Sequence, residues 1–423
     1  MADVQDRIRL KRSSVQAAHE LIKRHIHKTP VLTSKTLSDL ASTPQSPEAL
    51  IGTTFEGQKP ARPTINFFFK CENYQRIGAF KSRGAFHALA RLNKEELSRG
   101  VVTHSSGNHA QALALAARTY GIRAHIVMPT ISTPSKIAAT QGYGAEVIFS
   151  GSTSQEREAV VENVIKKTGA VLVPPYDHPN IILGQGTMAL ELEEQVNVLV
   201  GEDPSLSVHS SKTKDVVGDV DGTSEPQTRE GLPRRLPGHL DAVITPLGGG
   251  GMLSGVATAL SGTGTLVFGA EPSYEGADDG RRGLAANKRI TSVKTLTIAD
   301  GLRTPVGELT WTVVSDKSKV RGVFAVSEQQ ILKAMKLVLE RMKVFVEPSA
   351  VVGLAVCLYD EEFRHLVEKE GADEGWDIGV VLSGGNTTVE AITKMFEVGE
   401  DKGERAEGKL GSRGERVAEN VAG

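Results

Sequence analysis

Three short stretches of this chain carry residue types that could do chemistry. The densest is Ile244-Thr245-Pro246-Leu247-Gly248-Gly249-Gly250-Gly251-Met252-Leu253-Ser254-Gly255, an apolar β-rich run followed by four glycines and a helix-forming run. Without Cβ atoms, successive backbone N–H groups can turn toward one anion, and the start of the next helix adds partial positive charge. The stretch reads as a phosphate cradle, although a mobile loop has a similar composition. Neither nucleotide signature fits: the third glycine of G-x-G-x-x-G would fall on Leu253 or Ser254, and no G-K-[ST] follows. The second stretch is Thr103-His104-Ser105-Ser106-Gly107-Asn108-His109. Its hydroxyl, amide and backbone donors either receive a second anion such as a carboxylate or simply cap a helix. The third is Lys81 in Gly78-Ala79-Phe80-Lys81-Ser82-Arg83-Gly84. An amine at a helix start, beside a bulky aromatic, is partly desolvated, which lowers its pKa and suits it to be a nucleophile.

Bringing these groups together requires a scaffold, and the apolar pattern describes one. Strands are predicted at Phe67–Cys71, Val101–Thr103, Ala124–Met128, Glu146–Phe149, Ala170–Val173, Ala242–Thr245, Leu266–Ala270 and Gly379–Leu382. Helices are predicted near 15–26, 86–92, 110–120, 135–141, 156–167, 188–196 and 253–260, and after Ser327, where Ser327-x-x-Gln330 forms a capping box. This alternation predicts an α/β fold with parallel strands. The 423 residues allow two or three domains, and 49 basic against 51 acidic residues give no sign of a nucleic-acid partner. The two cysteines, Cys71 and Cys357, match no zinc or dithiol spacing, and His104 and His109 read as packing or loop residues rather than metal ligands. No apolar run is long enough for a membrane span, so a soluble cytoplasmic protein is expected. Residues 41–63 and 201–237, rich in Ser, Pro and Gly, read as surface insertions, and the end from about 400 as a flexible tail.

A phosphate cradle, a carboxylate cradle and a desolvated amine together describe pyridoxal phosphate chemistry on an amino acid. The motifs FFFKCENYQRIGAFKSRGA, VTHSSGNHAQALA, GQGTMALE, PLGGGGMLSG, AEP, IADGL, VEPSAVVG and VLSGGN occur in this order within about residues 10–395. With them the chain resembles the fold type II pyridoxal phosphate enzymes, in the serine racemase and L-serine/L-threonine dehydratase family. That resemblance implies a tryptophan synthase beta-like fold. A large cofactor-binding domain would span 1–98 and 178–399, with a smaller parallel-sheet domain, 99–177, inserted. It implies that Lys81 carries the cofactor, Phe80 packs on its ring and Asn108 bonds its 3-hydroxyl oxygen. Gly248, Gly249, Gly250, Gly251 and Met252 would hold the phosphate, Glu347 would lie near the ring and Ser383 would face the pyridine nitrogen. A neutral hydroxyl there makes the ring a weaker electron sink, which suits racemisation or elimination over transamination.

The same resemblance places the substrate against Ser105, Ser106, Gly107, Asn108 and His109. Ser106 would lie opposite Lys81 as the second acid/base, giving racemisation, and loss of a β-hydroxyl would instead yield a 2-oxo acid and ammonia. Arg157 matches a position near the substrate, where it would admit a β-carboxylate, or else it lies exposed on its helix. Glu271, the carbonyl of Ala277 and Asp279 match an all-oxygen site for Mg²⁺ or Ca²⁺. Here Ser273–Asp279 is two residues longer than the family pattern, which puts in doubt which carboxylates reach the metal. The expectation is serine racemisation with L-serine/L-threonine ammonia-lyase activity in a homodimer. The alternatives are an ammonia-lyase for another 3-hydroxy amino acid such as threo-3-hydroxyaspartate, and a non-catalytic cofactor-binding homologue.

Overall fold

A computed structural model of the chain describes residues 10–105, 107–210 and 238–397. The expectations for Ser106, for residues 211–237 and for the tail from 400 therefore fall outside the described residues. Among the described residues there are ten strands: β1 (Val31–Thr33), β2 (Ile65–Cys71), β3 (Val101–His104), β4 (Ala124–Pro129), β5 (Glu146–Ser150), β6 (Val171–Leu172), β7 (Ala242–Pro246), β8 (Leu266–Pro272), β9 (Gly322–Val326) and β10 (Trp376–Leu382). They form a larger sheet of order β1-β2-β10-β7-β8-β9 and a smaller one of order β5-β4-β3-β6. Only β1 with β2 is antiparallel; all other pairs are parallel.

The larger sheet is covered on both faces, which explains why β7 and β10 are buried throughout and almost continuously apolar. Successive side chains go to opposite sides. Phe67, Phe69, Ile244 and Val380 join one core with Trp376 and helix Val352–Tyr359. Phe68, Val243 and Val381 join another with helices Pro179–Glu202 and Gly251–Ala259. The last strand, β10, lies between β2 and β7, with Gly379 opposite Phe68 on one side and Val243 on the other. The carboxyl ends of β2, β10 and β7 are thereby neighbours, and these ends lead to Lys81, to Ser383–Asn386 and to the glycine run. Ligands of open parallel sheets collect at such a point. The smaller sheet contributes the end of β3, which leads into helix Asn108–Tyr120. That helix packs its alanine-rich face on Phe86 and Leu89 of helix Lys81–Ala90.

Several expectations need correction. The helix expected at 188–196 runs from Pro179 to Glu202. Gly184 and Gly186, which look like breakers, are the contact points of two helix crossings. A Cβ on Gly184 would lie 2.5 Å from the Arg83 carbonyl oxygen, and one on Gly186 2.4 Å from that of Gly255. At the start of the stretch expected as an insertion, Ser207 is buried at 3 % exposure and His209 hydrogen-bonds Asp241; residues 211–237 lie outside the described residues. Segment 41–63 is exposed over most of its length, as expected of a surface segment, and is held at both ends: the buried Arg364 guanidinium donates to the carbonyls of Ala41 and Thr43, and Ala61 N–H donates to Glu361. Strands β1 and β9 were not anticipated. The capping box at Ser327 and Gln330 is present. Among the described residues no helix is long and apolar enough to cross a membrane.

Candidate active site

Beyond β2 the backbone reverses through Ile77 (φ 59°) and Gly78 (φ 71°). A Cβ on Gly78 would sit 2.8 Å from Asn386 Oδ1, so both conformation and space call for glycine here. Gly385 N–H donates to the Gly78 carbonyl at 2.9 Å and Phe80 N–H to the Ser383 carbonyl at 3.1 Å, while Ala79 bridges Gly384. These bonds fix the start of helix Lys81–Ala90 against the end of β10. The half-buried Lys81 donates from Nζ to the Pro175 carbonyl at 2.8 Å, and Nζ stands 5.1 Å from the centroid of the Phe80 ring. Burial lowers its amine to about 8, as the sequence predicts for a desolvated amine.

Under this helix start lies a buried ion network. Arg83 donates Nε and Nη2 to the two Glu72 oxygens, both at 2.8 Å, and Nη1 and Nη2 to those of Glu191 at 2.8 and 2.7 Å. Lys70 Nζ donates to Glu191 at 2.8 Å, and Thr29 Oγ1 donates to Glu72 at 2.6 Å. All four charged side chains are at most 2 % exposed. The network ties β2 and helix Lys81–Ala90 to helix Pro179–Glu202.

The glycine run is buried. Its missing Cβ atoms also serve protein packing. A Cβ on Gly249 would fall 2.3 Å from the Tyr176 ring, one on Gly250 (φ 89°) 2.8 Å from Thr310, and one on Gly251 2.6 Å from Gln185 Oε1. Thr310 Oγ1 donates to the Gly249 carbonyl at 2.7 Å, and Asp177 accepts from the N–H groups of Glu308 and Thr310. Pro175 and Tyr176 thus connect Lys81 directly to the cradle. Met252 follows in the first helical turn, 5 % exposed.

Asn108 opens its helix without capping it; the N-cap is Gly107, which has no side chain. Asn108 Nδ2 instead donates to Glu347 Oε1 at 2.9 Å, and Asn108 Oδ1 accepts from Asn386 Nδ2 at 2.7 Å. Its amide keeps a second N–H for a ligand oxygen. Glu347 also accepts from Asn386 N–H at 3.1 Å, and burial together with the charge of Asp300 raises its carboxyl to about 7. Ser383 is buried at 4 %. Ser105 Oγ accepts from Gly107 N–H at 3.3 Å, and a Cβ on Gly107 would meet open space. His109 is buried, with Nε2 3.0 Å from the Val173 carbonyl. Burial and the charge of Lys81 push its imidazole down to about 3. It is therefore neutral and donates from Nε2, leaving Nδ1 as a buried lone pair. Ser106, in the middle of this stretch, lies outside the described residues.

Arg157 donates to the Ser152 carbonyl at 3.1 Å. It also stands near enough to His104, at the end of β3, that burial and this guanidinium together lower the imidazole pKa. Lys136 reaches from the smaller sheet's side to Asp300 at 2.7 Å, beside Leu302, which packs on Gly248.

The longer Ser273–Asp279 segment resolves simply. Tyr274–Gly276 forms an outward turn, with Glu275 at φ 49° and Gly276 at φ 78°, and returns Ala277 and Asp279 to the interior at 1 and 2 % exposure. Glu271 Oε1 and Oε2 accept from Gly280 and Arg281 N–H, both at 2.9 Å. Burial and the charge of Asp279 hold Glu271 well above the carboxylate range, and burial raises Asp279 to about 6.

The residues at the centre fit pyridoxal phosphate. Among the described residues no acceptor takes the amides of Gly248, Gly249 and Gly250. Gln185, fully buried beside Gly251, has no hydrogen-bond partner among the described residues for either its oxygen or its nitrogen. Sequence reasoning missed Tyr176, Gln185, Thr310 and Asn386 as site residues. Gln185 and Asn386 lie inside the motifs GQGTMALE and VLSGGN, whereas nothing local marks Tyr176 or Thr310.

Comparison with known proteins agrees with this geometry. Residues 53–213 and 227–384 match the family model described as pyridoxal-phosphate dependent enzyme. The chain is 38 % identical over 386 residues to a serine racemase of Arabidopsis thaliana, covering 91 % of this chain and 95 % of that one. It is 36 % identical over 387 residues to the L-threo-3-hydroxyaspartate ammonia-lyase of Saccharomyces cerevisiae, with coverages of 91 % and 95 %. The solved structure of maize serine racemase superposes with a TM-score of 0.71 at 35 % identity, covering 93 % of this chain and 99 % of that one.

Proposed function

The chain belongs to the family of pyridoxal-phosphate-dependent enzymes, and we propose that it racemises serine and releases ammonia from L-serine and L-threonine. The observation that carries this reading is the convergence of a desolvated Lys81 amine, the glycine cradle and the Asn108–Glu347 pair between the ends of β2, β7 and β10 in the larger sheet and the end of β3 in the smaller one. When bound, pyridoxal phosphate supplies the electron sink that acidifies the α-hydrogen of an amino acid. Lys81 would hold the cofactor and would also move the α-proton on one face. Ser106 carries out the acid/base step on the other. Gly248–Met252 would present N–H groups to its phosphate, Phe80 would pack on its ring, and Ser383 would offer its pyridine nitrogen a hydroxyl rather than a carboxylate. Return of a proton on the opposite face inverts the amino acid. Departure of the β-hydroxyl leads to a 2-oxo acid and ammonia.

A second reading, ammonia release from a 3-hydroxyaspartate, is favoured by Arg157 beside His104 at the end of β3, where a guanidinium would receive a β-carboxylate. The proposal extends to Mg²⁺ or Ca²⁺ at Glu271, the Ala277 carbonyl and Asp279, and to a cytoplasmic homodimer. It also includes a small domain of residues 99–177 that closes on substrate over a large domain of 1–98 and 178–399. Chiral analysis of products from L-serine, with ammonia release from L-serine, L-threonine and threo-3-hydroxyaspartate, with and without EDTA, tests it. Turnover of hydroxyaspartate alone replaces the first reading by the second. Ser106→Ala is expected to stop racemisation and keep ammonia release; equal loss of both refutes the opposite-face role.

A further inference from the structure

Gln185 stands where three helices meet. The glycines on either side of it bring helix Pro179–Glu202 to backbone contact with its neighbours, Gly184 against Arg83 and Gly186 against Gly255. The side chain of Gln185 fills the gap between Gly84 and Gly251. A Cβ on Gly84 would lie 3.2 Å from both Gln185 Cγ and Nε2, and one on Gly251 would lie 2.6 Å from Gln185 Oε1. Gly84 follows Lys81 by about one turn, on the same face of helix Lys81–Ala90. Gly251 ends the glycine run and begins helix Gly251–Ala259. The Gln185 amide thus lies between the helix that carries Lys81 and the loop that cradles an anion. A half-turn about the last side-chain bond exchanges its oxygen and nitrogen, so the donor end can face the cradle. We propose that Gln185 is a phosphate ligand of this cradle, its side-chain amide donating to the phosphate of bound pyridoxal phosphate beside the glycine N–H groups.

Gln185 is fully buried, and neither its oxygen nor its nitrogen has a hydrogen-bond partner among the described residues. The polar side chains close by are satisfied without it. Thr187 Oγ1 donates to the Gly184 carbonyl at 2.7 Å, and the Arg83 guanidinium is taken up by Glu72 and Glu191. Burying an amide without a partner is destabilising, and a leucine or methionine of similar size would fill the same junction without that penalty. What the amide adds is a donor. The N–H groups of Gly248, Gly249, Gly250 and Gly251 likewise have no acceptor among the described residues. Unpaired donors from two elements therefore gather at one place, and a single anion answers both. A phosphate brings three strong acceptor oxygens, enough for a side-chain donor in addition to the backbone N–H groups. Its charge also makes each of these bonds stronger than one to a neutral acceptor. The assignment rests on pyridoxal phosphate being the cofactor, and adds a side chain to a cradle otherwise made of backbone.

The test titrates full-length apoenzyme with pyridoxal phosphate and with pyridoxal, which lacks the phosphate, and reads the bound compound by visible absorbance. Gln185→Leu is expected to weaken binding of pyridoxal phosphate about tenfold and to leave that of pyridoxal within about twofold of wild type. Gln185→Glu keeps the shape but sets a carboxyl toward the phosphate. It is expected to weaken pyridoxal phosphate by more than about tenfold, and more at high pH than at low pH because the carboxyl then carries its charge, again sparing pyridoxal. Binding of pyridoxal phosphate within about twofold of wild type in a folded variant overturns the assignment. So does an equal loss for both compounds, which marks a packing role rather than a phosphate contact. If Gln185→Leu fails to fold, Gln185→Glu decides. Wild-type apoenzyme that binds pyridoxal phosphate no better than pyridoxal overturns the cofactor reading, and this assignment with it.

Discussion

Replacing Arg83 by Met removes the central cation of the network beneath Lys81. Arg83 makes four charge-assisted bonds of 2.7–2.8 Å to Glu72 and Glu191, and none of the three side chains is more than 2 % exposed. Methionine fills much of the volume but leaves two buried carboxylates with Lys70, the His19 imidazole and the Thr29 hydroxyl beside them. Breaking a buried pair in this way costs about 3–5 kcal/mol, a large share of the about 5–15 kcal/mol that holds a protein folded. Arg83→Lys keeps the charge and loses the fork, so about half that loss is expected. The loss should also depend on pH. In the wild type Arg83 and Lys70 overcome burial and hold Glu191 below the carboxylate range, so its contribution is present above the unfolded pKa and fades as pH falls through the folded one. Without Arg83 burial dominates and the folded pKa of Glu191 rises above the unfolded one, so the variant loses stability as pH climbs. The gap between wild type and Arg83→Met therefore widens from pH 5 to pH 8. Urea unfolding followed by the fluorescence of the fully buried Trp376 measures it. A loss below about 1 kcal/mol, or one equal at both pH values, would refute the reasoning.

Gly249→Ala drives a methyl to within 2.3 Å of the Tyr176 ring near its attachment point, where no rotation relieves the contact. Affinity for pyridoxal phosphate is expected to fall by about tenfold or more, read by fluorescence titration of the apoenzyme; an unchanged affinity contradicts the packing described. The rate at which apoenzyme captures the cofactor should rise with pH through about 8, because burial lowers the Lys81 amine to that value. Stopped-flow absorbance checks this, and an inflection near the pKa of about 10.4 of an ordinary lysine refutes the desolvation argument.

The alternation of strands and helices was legible because it reports local burial, and ends differed where local rules mislead. The stretch Gly184-Gln185-Gly186 looks like a loop but is helical, since its glycines let three helices touch. The anion chemistry of the glycine run and of Lys81 was legible too, since it depends on residues adjacent in the chain. Tyr176, Thr310 and the Asn108–Glu347–Asn386 bonds were not, because they join side chains distant in sequence and carry no periodic signal.

The sequence by itself determined the class of cofactor, the parallel α/β character and the family resemblance. Each follows from short motifs whose backbone freedom and polar groups act locally. Only the tertiary structure decided which side chains share a site. It showed the outward turn that returns Asp279 to Glu271, the carboxylates that grip Arg83, and the helix crossings that set the Gln185 amide between Gly84 and Gly251. The physical reason is that such pairings depend on strand order, register and helix packing, and the placement of β10 between β2 and β7 is set by the packing of the whole sheet rather than by any segment alone.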